Sequence, residues 1–353
     1  MKATLLKIFG DGGGEIRTKV IGIYVVLIGA NILAWVWAFL AFRDYPVLLG
    51  TALLAYTFGL RHAVDADHIA AIDNVTRKLM QDGKRPVATG FFFSLGHSTI
   101  VVLATVALAA TAAALQAHFE AFKSVGGIIG TSVSIFFLFI VALANIFILH
   151  SVYRTFRHVS RGGQFIEEDL NHLLAQRGVL GRLFRPVFRF VASSWQMFPL
   201  GLLFGLGFDT ATEIGLLGIS AAEASKGLSI WSILVFPALF TAGMSLADTT
   251  DGVLMLGAYG WAFNKPIRKL YYNLTITSVS VLMALIIGGI EALGLIADKL
   301  SLEGPFWAFV QALNENFGSL GYLIIAIFAA SWLVSFVIYR IRKYDAIEMA
   351  GNG

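Results

Sequence analysis

The chain reads as an all-α membrane protein of eight transmembrane helices, on three observations. It has 353 residues, 57% of them hydrophobic and only 14% charged, where soluble domains carry roughly 25% charge. Long, mostly uncharged stretches recur along its length. Lysine and arginine fall almost wholly in alternate loops. A water-exposed surface needs charge to stay solvated, and a lipid-exposed one does not. The apolar runs are taken as helices because a backbone crossing hydrocarbon must pair its own N–H and C=O groups.

The first nineteen residues are polar and include Asp11, Glu15, Arg17 and Lys19; Val20 to Phe42 then runs 23 residues without a charge. That exceeds the apolar region of a cleaved signal peptide and suffices to span a bilayer, so it is expected to be retained as the first span. The others are expected at 47–75, 87–114, 125–152, 195–220, 228–263, 271–297 and 317–339. The second follows Pro46 and is apolar only to Leu60; the sixth holds just Asp248 and Asp251 as charges. Between the fourth and fifth lies the one sizeable polar segment, 153–190, with seven arginines. It is read as a cytoplasmic connecting loop, with residues 1–353 forming a single transporter-sized domain.

Twenty-one lysines and arginines fall in the N-terminus, 76–86, 153–190, 265–269 and the C-terminus. The intervening loops hold four (Arg43, Lys123, Lys226, Lys299), and Arg61 lies within a span. This bias places both termini in the cytoplasm and requires an even number of spans.

Ionisable residues inside a membrane are costly and mark function by default. Here they are grouped. The second span carries Arg61-His62-Ala63-Val64-Asp65-Ala66-Asp67-His68, with Asp73 and Asn74 beyond; the third carries Gly96-His97-Ser98-Thr99. The fifth carries Asp209-Thr210-Ala211-Thr212-Glu213, and the sixth Asp248-Thr249-Thr250-Asp251. Counted from the cytoplasmic ends, His62, His97, Asp209 and Asp248 lie about 10–15 residues in, or roughly 15–22 Å into a core about 30 Å thick. All four spans present polar groups near one level.

Seven carboxyl groups (Asp65, Asp67, Asp73, Asp209, Glu213, Asp248, Asp251) face a single Arg61. Like charges this close resist ionisation together, and a bound divalent cation relieves the repulsion. Imidazole beside carboxylate suits Ni, Co, Zn or Fe, whereas oxygen ligands alone would suit Mg, Ca or Mn. The chain has no cysteine, so disulfides and thiolate sites are excluded. The candidate metal ligands are His62, Asp65, Asp67, His68, His97, Asp209, Glu213 and Asp248. Asp65 is equally suited to orienting a ligating histidine. Arg61 is expected as counter-ion to the acids, and Ser98, Thr99 and Thr210 as path-lining hydroxyls. Asp73 sits where it can bond a helix end or Asn74, and Asp251 is either a ligand or part of an exit route. Glu291, near the outer end of the seventh span, is read as interfacial.

On an ideal helix His62 and Asp65 share a face, but Asp67 points about 140° away from His62. For His62, Asp67 and His68 to meet one ion, the second helix must be interrupted, and Gly59 is the expected place. Asp209 with Glu213 and Asp248 with Asp251 share faces without distortion. An internal echo pairs the same segments. Phe58-Gly59-Leu60 matches Phe204-Gly205-Leu206, and Phe93 to Ser98 faces Phe240 to Ser245. Spans two and three would then correspond to five and six in opposite orientation, an inverted repeat with cargo at its interface.

At these residues the chain resembles the nickel/cobalt transporter family, the NiCoT permeases. Arg61, His62, Asp67 and His68 match its second-helix Arg-His-x4-Asp-His signature, and Gly96-His97-Ser98 resembles its third-helix motif. Asp209 to Glu213 is similar to its fifth-helix Asp-Thr-Ala-Thr-Glu segment. Gly243, Met244, Asp248, Thr249 and Asp251 match that of the sixth. The resemblance implies an eight-helix, single-component, high-affinity uptake permease for Ni2+ or Co2+ in a cytoplasmic membrane. Metal would be its cargo rather than a prosthetic group, with no nucleic acid and no obligatory protein partner. Two other functions compete. Efflux of the same metals would use the same ligands. An intramembrane metalloenzyme would need a His-Glu-x-x-His helix, which the chain lacks.

Overall fold

The computed structural model describes residues 9–12, 15–110, 116–160, 191–207, 216–220, 222–223, 226–262 and 266–342, and among them there is no strand. The helices are α1 (Ile16–Phe42), α2 (Pro46–His62), α3 (Ala66–Gln81), α4 (Thr89–Ala110), α5 (Gln116–Ser160), α6 (Met197–Phe204), the short α7 (Ile230–Ile233), α8 (Val235–Ala262), α9 (Pro266–Lys299), α10 (Pro305–Glu315) and α11 (Phe317–Ile341). Short 3-10 turns, Ser194–Gln196 and Gly205–Gly207, flank α6.

Five described helical stretches are long and apolar enough to cross a membrane: Ile16–Phe42, Thr89–Ala107, Ile230–Gly260, Leu270–Lys299 and Ser319–Ile341. α2 and α3 together make a sixth, bent by 52° between them. α5 covers the expected fourth span and continues to Ser160, so the first eight residues assigned to the 153–190 loop are helical; residues 161–190 lie outside the described residues. Of the expected fifth span, α6, its 3-10 turn and residues 216–220 are described. The chain is thus an all-helical, multi-pass membrane protein, its outward faces lined with exposed Val25, Leu33, Phe136, Leu254 and Val337.

Two crossings set the centre of the bundle. α2 crosses α8 so closely that a Cβ on Gly59 would strike the Phe240 carbonyl, and one on Gly243 would press on the backbone of Tyr56 and Leu60. α4 crosses α6 in the same manner: Gly96 lies on the backbone of Phe198 and Leu202, and Gly201 and Gly205 lie on that of Phe93 and His97. In lipid such small-residue contacts drive association, because tails are as apolar as leucine.

The interruption of the second span falls at Ala63–Asp65, after the histidine, and not at Gly59 as the sequence led us to expect. Gly59 is consumed by the close crossing. The break occurs where Val64 meets Gly321 of α11, whose missing side chain leaves room for the Val64 carbonyl. Asp65, in extended conformation (φ −65°, ψ 147°), opens α3. One element has no counterpart in the sequence reading. α10 begins at Pro305 after Gly304, whose φ of 122° favours glycine, and buries only Val310 while Phe306 and Phe309 stay exposed. That one-sided burial fits a helix lying in the membrane interface.

Candidate metal centre

The bend and the two crossings converge on three histidines. His62 ends α2, His68 lies in the first turn of α3, and His97 is held where α4 crosses α6. All three are buried, 0–3% exposed. Each offers one ring nitrogen, and the three nitrogens lie within 4.8 Å of one another. The ring centroids are 4.7 to 4.9 Å apart. His62 Nε2 stands 2.9 Å from His97 Nε2. Phe93 abuts His68 edge-on at 4.8 Å, and Phe240 flanks His62 at 5.6 Å, so the walls are aromatic and dry. Among the described residues this is the one group of three or more His, Asp or Glu side chains arranged to hold an ion.

The carboxylates divide into kinds. Asp65 Oδ2 contacts His62 Nδ1 at 2.9 Å, and Asp248 brings both oxygens to 3.3 Å from His68 Nδ1. Both acids are buried. Each thus engages the ring nitrogen whose bonding leaves Nε2 to face the cluster, the arrangement that orients metal-binding imidazoles elsewhere. His68 Nε2 is buried without a hydrogen-bond partner among the described residues. Asp67, in the first turn of α3, is half-buried beside His68 and outside the three-nitrogen group. Arg61 occupies the last turn of α2, half-buried. Asp209, Thr210 and Glu213 lie outside the described residues.

Ser98 is buried next to His97, its hydroxyl without a partner among the described residues. The hydroxyl of Thr99 instead donates to the Leu95 carbonyl of its own helix at 2.8 Å. Asp251, one turn beyond Asp248, is half-buried. Asp73 bonds neither a helix end nor Asn74. It is fully buried, accepting hydrogen bonds from Tyr259 and from Ser280 at 2.7 Å. Glu291 is not interfacial either: it is 6% exposed, and Ser134 Oγ lies 2.8 and 3.0 Å from its two oxygens. The sequence reading missed Arg77. Counted among the loop cations, it is 1% exposed and points into the bundle. Its i, i+4 spacing from Asp73 was the available signal.

An all-helical membrane protein with a buried three-imidazole cluster at the bend of a broken span belongs to the class of metal-ion transporters. The comparisons give the family. A family model described as high-affinity nickel-transport protein matches residues 48–338, and the chain belongs to that family. It is 63% identical over 336 residues to a high-affinity nickel transport protein of Cupriavidus necator, covering 95% of this chain and 96% of the relative. It is 46% identical over 321 residues to the nickel transporter NixA of Staphylococcus aureus, covering 91% of this chain and 94% of the relative. A cobalt transport protein, NhlF of Rhodococcus rhodochrous, is 39% identical over 348 residues, 94% of this chain and 96% of its own. No solved structure matches the chain.

Proposed function

We propose that this protein takes up Ni2+, and Co2+ as a related cargo, across a cytoplasmic membrane as a single-domain permease with both termini inside. The observation that carries the reading is the convergence of one ring nitrogen each from buried His62, His68 and His97. Imidazoles in a site without cysteine favour a borderline transition metal over Mg or Ca. Two ligands at right angles on bonds of about 2.05 Å stand roughly 2.9 Å apart, and two at the tetrahedral angle roughly 3.3 Å. The 2.9 Å between His62 Nε2 and His97 Nε2 is a hydrogen-bond distance, and the three nitrogens, all within 4.8 Å, are near enough for one ion to draw them together.

In this reading Asp65 and Asp248 hold the imidazoles, while Asp67, with Asp209 and Glu213 of the fifth span, adds charge and ligands. Arg61 balances the acids, Ser98 and Thr210 border the route, and Asp251 and Asp73 lead towards the cytoplasm. Alternating access would come from an inverted repeat. Under the offsets of 146 and 147 residues, the α2–α8 crossing maps onto the α6–α4 crossing, Gly59 onto Gly205 and Gly96 onto Gly243. Each crossing would move as a unit about the shared site.

The test is radiotracer nickel accumulation in cells expressing wild type, His62→Ala or Asp67→Ala at equal membrane levels. Both variants are expected to lose most uptake. Equal accumulation by all three would remove the assignment.

A further inference from the structure

A fully buried guanidinium sits on the cytoplasmic side of the histidine cluster. Arg77 lies nine residues, about two and a half turns, beyond His68 on α3, roughly 13 Å along the helix axis. It donates to Asn74 Oδ1 at 2.8 Å, to Thr277 Oγ1 of α9 at 3.0 Å and to Asn145 Oδ1 of α5 at 3.4 Å. Asn145 in turn donates to Asn74 Oδ1 at 2.9 Å. These partners are neutral, and Nε has no partner among the described residues. A full positive charge inside a membrane protein is costly, and amides and hydroxyls alone could tie three helices together without it. The counter-charge lies one turn back. Asp73, fully buried on α3, accepts from Ser280 of α9, about one turn from the Thr277 that Arg77 engages, and from Tyr259 of α8. On α8, Asp248, which touches His68, is followed one turn on by Asp251 and about two turns further by Tyr259, which donates to Asp73, so carboxylates succeed one another along the α3–α8 contact from the histidines towards the fixed cation.

A dication leaving three imidazoles through a file of carboxylates would be held at each stop. Passage requires sites weak enough to leave. We propose that Arg77 is a tethered cation taking, at Asp73, the place of a second metal ion, so that the protein holds one ion and releases it inward. Arg77 is a positioning residue here: it acts through Asp73 and never touches cargo at the histidines.

This inference rests on the transport reading above, and its test separates the two. Purified protein is dialysed against 63Ni2+ to read stoichiometry, and uptake is followed in cells. Arg77→Gln, which keeps an amide donor and loses the charge, is expected to bind two nickel ions where wild type binds one. Its uptake is expected to fall about tenfold as metal is retained at Asp73. Adding Asp73→Asn to Arg77→Gln returns the stoichiometry to one and recovers most of the uptake. A purely structural role for Arg77 would reproduce the uptake pattern but leave stoichiometry at one throughout, which overturns the proposal. So does wild-type uptake by Arg77→Gln. Should that variant fail to accumulate, Arg77→Lys decides. Retention of charge predicts uptake within about threefold of wild type, and a loss as deep as a dead variant makes the guanidinium architectural instead. Absence of nickel uptake by wild type would sink the transport reading, leaving stoichiometry to judge this one.

Discussion

At the scale of single residues, the proposed centre pairs imidazole with carboxylate. The Asp65–His62 and Asp248–His68 contacts fix ring orientation, and removing such a partner weakens metal binding by about 10–100-fold. Asp65→Asn and Asp248→Asn are each expected to fall in that range by equilibrium dialysis with nickel. Complete loss of binding by Asp65→Asn would make it a direct ligand, and a change under about twofold would leave it no role. Burial raises the stakes: a buried ring N–H left without its acceptor costs about 1–3 kcal/mol. The isosteric amide is therefore the informative substitution, and alanine is not.

At the scale of elements, two features aim the histidines. One is the bend at Ala63–Asp65, without which His62 and His68 would diverge on a continuous helix. The other is the pair of glycine crossings, which let α4 and α6, and α2 and α8, meet backbone to backbone. Gly96→Leu is expected to force α4 off α6, at a cost of roughly 1–3 kcal/mol or more. Less monodisperse protein should elute from a sizing column in detergent, and nickel uptake should fall with it. Gly29, whose Cβ would meet nothing within 4 Å, is the control, and Gly29→Leu should behave as wild type. Equal behaviour of the two variants would mean that the crossings do not position His97.

At the scale of the whole molecule, the cation asymmetry predicts which loops face the cytoplasm. The chain has no cysteine, so single introduced thiols report cleanly. Asp82 and Leu300 are both exposed and should lie on opposite faces. A membrane-impermeant maleimide is expected to label Leu300→Cys in intact cells and Asp82→Cys only after lysis. The reverse pattern would invert the topology. A thiol at Ser98, buried beside His97, tests access: nickel should slow its modification if that hydroxyl borders the cargo, and indifference to nickel would place it off the route.

The sequence by itself determined the solvent, the helical class and the transition-metal class of cargo, and it named the segments proposed to carry the chemistry. Composition, run length and charge alternation are properties of the chain that survive without coordinates. It also announced a break in the second helix, because His62, Asp67 and His68 cannot share a face at 3.6 residues per turn. Only tertiary structure decided where that break falls, since the contact of Gly321 with the Val64 carbonyl joins residues far apart in sequence. It likewise decided that Asp65 and Asp248 touch histidine nitrogens, and that Glu291 and Arg77 are buried rather than peripheral. The physical reason is common to all of these: burial and contact are set by which helices pack together, and periodicity along one strand of sequence carries no record of the partner.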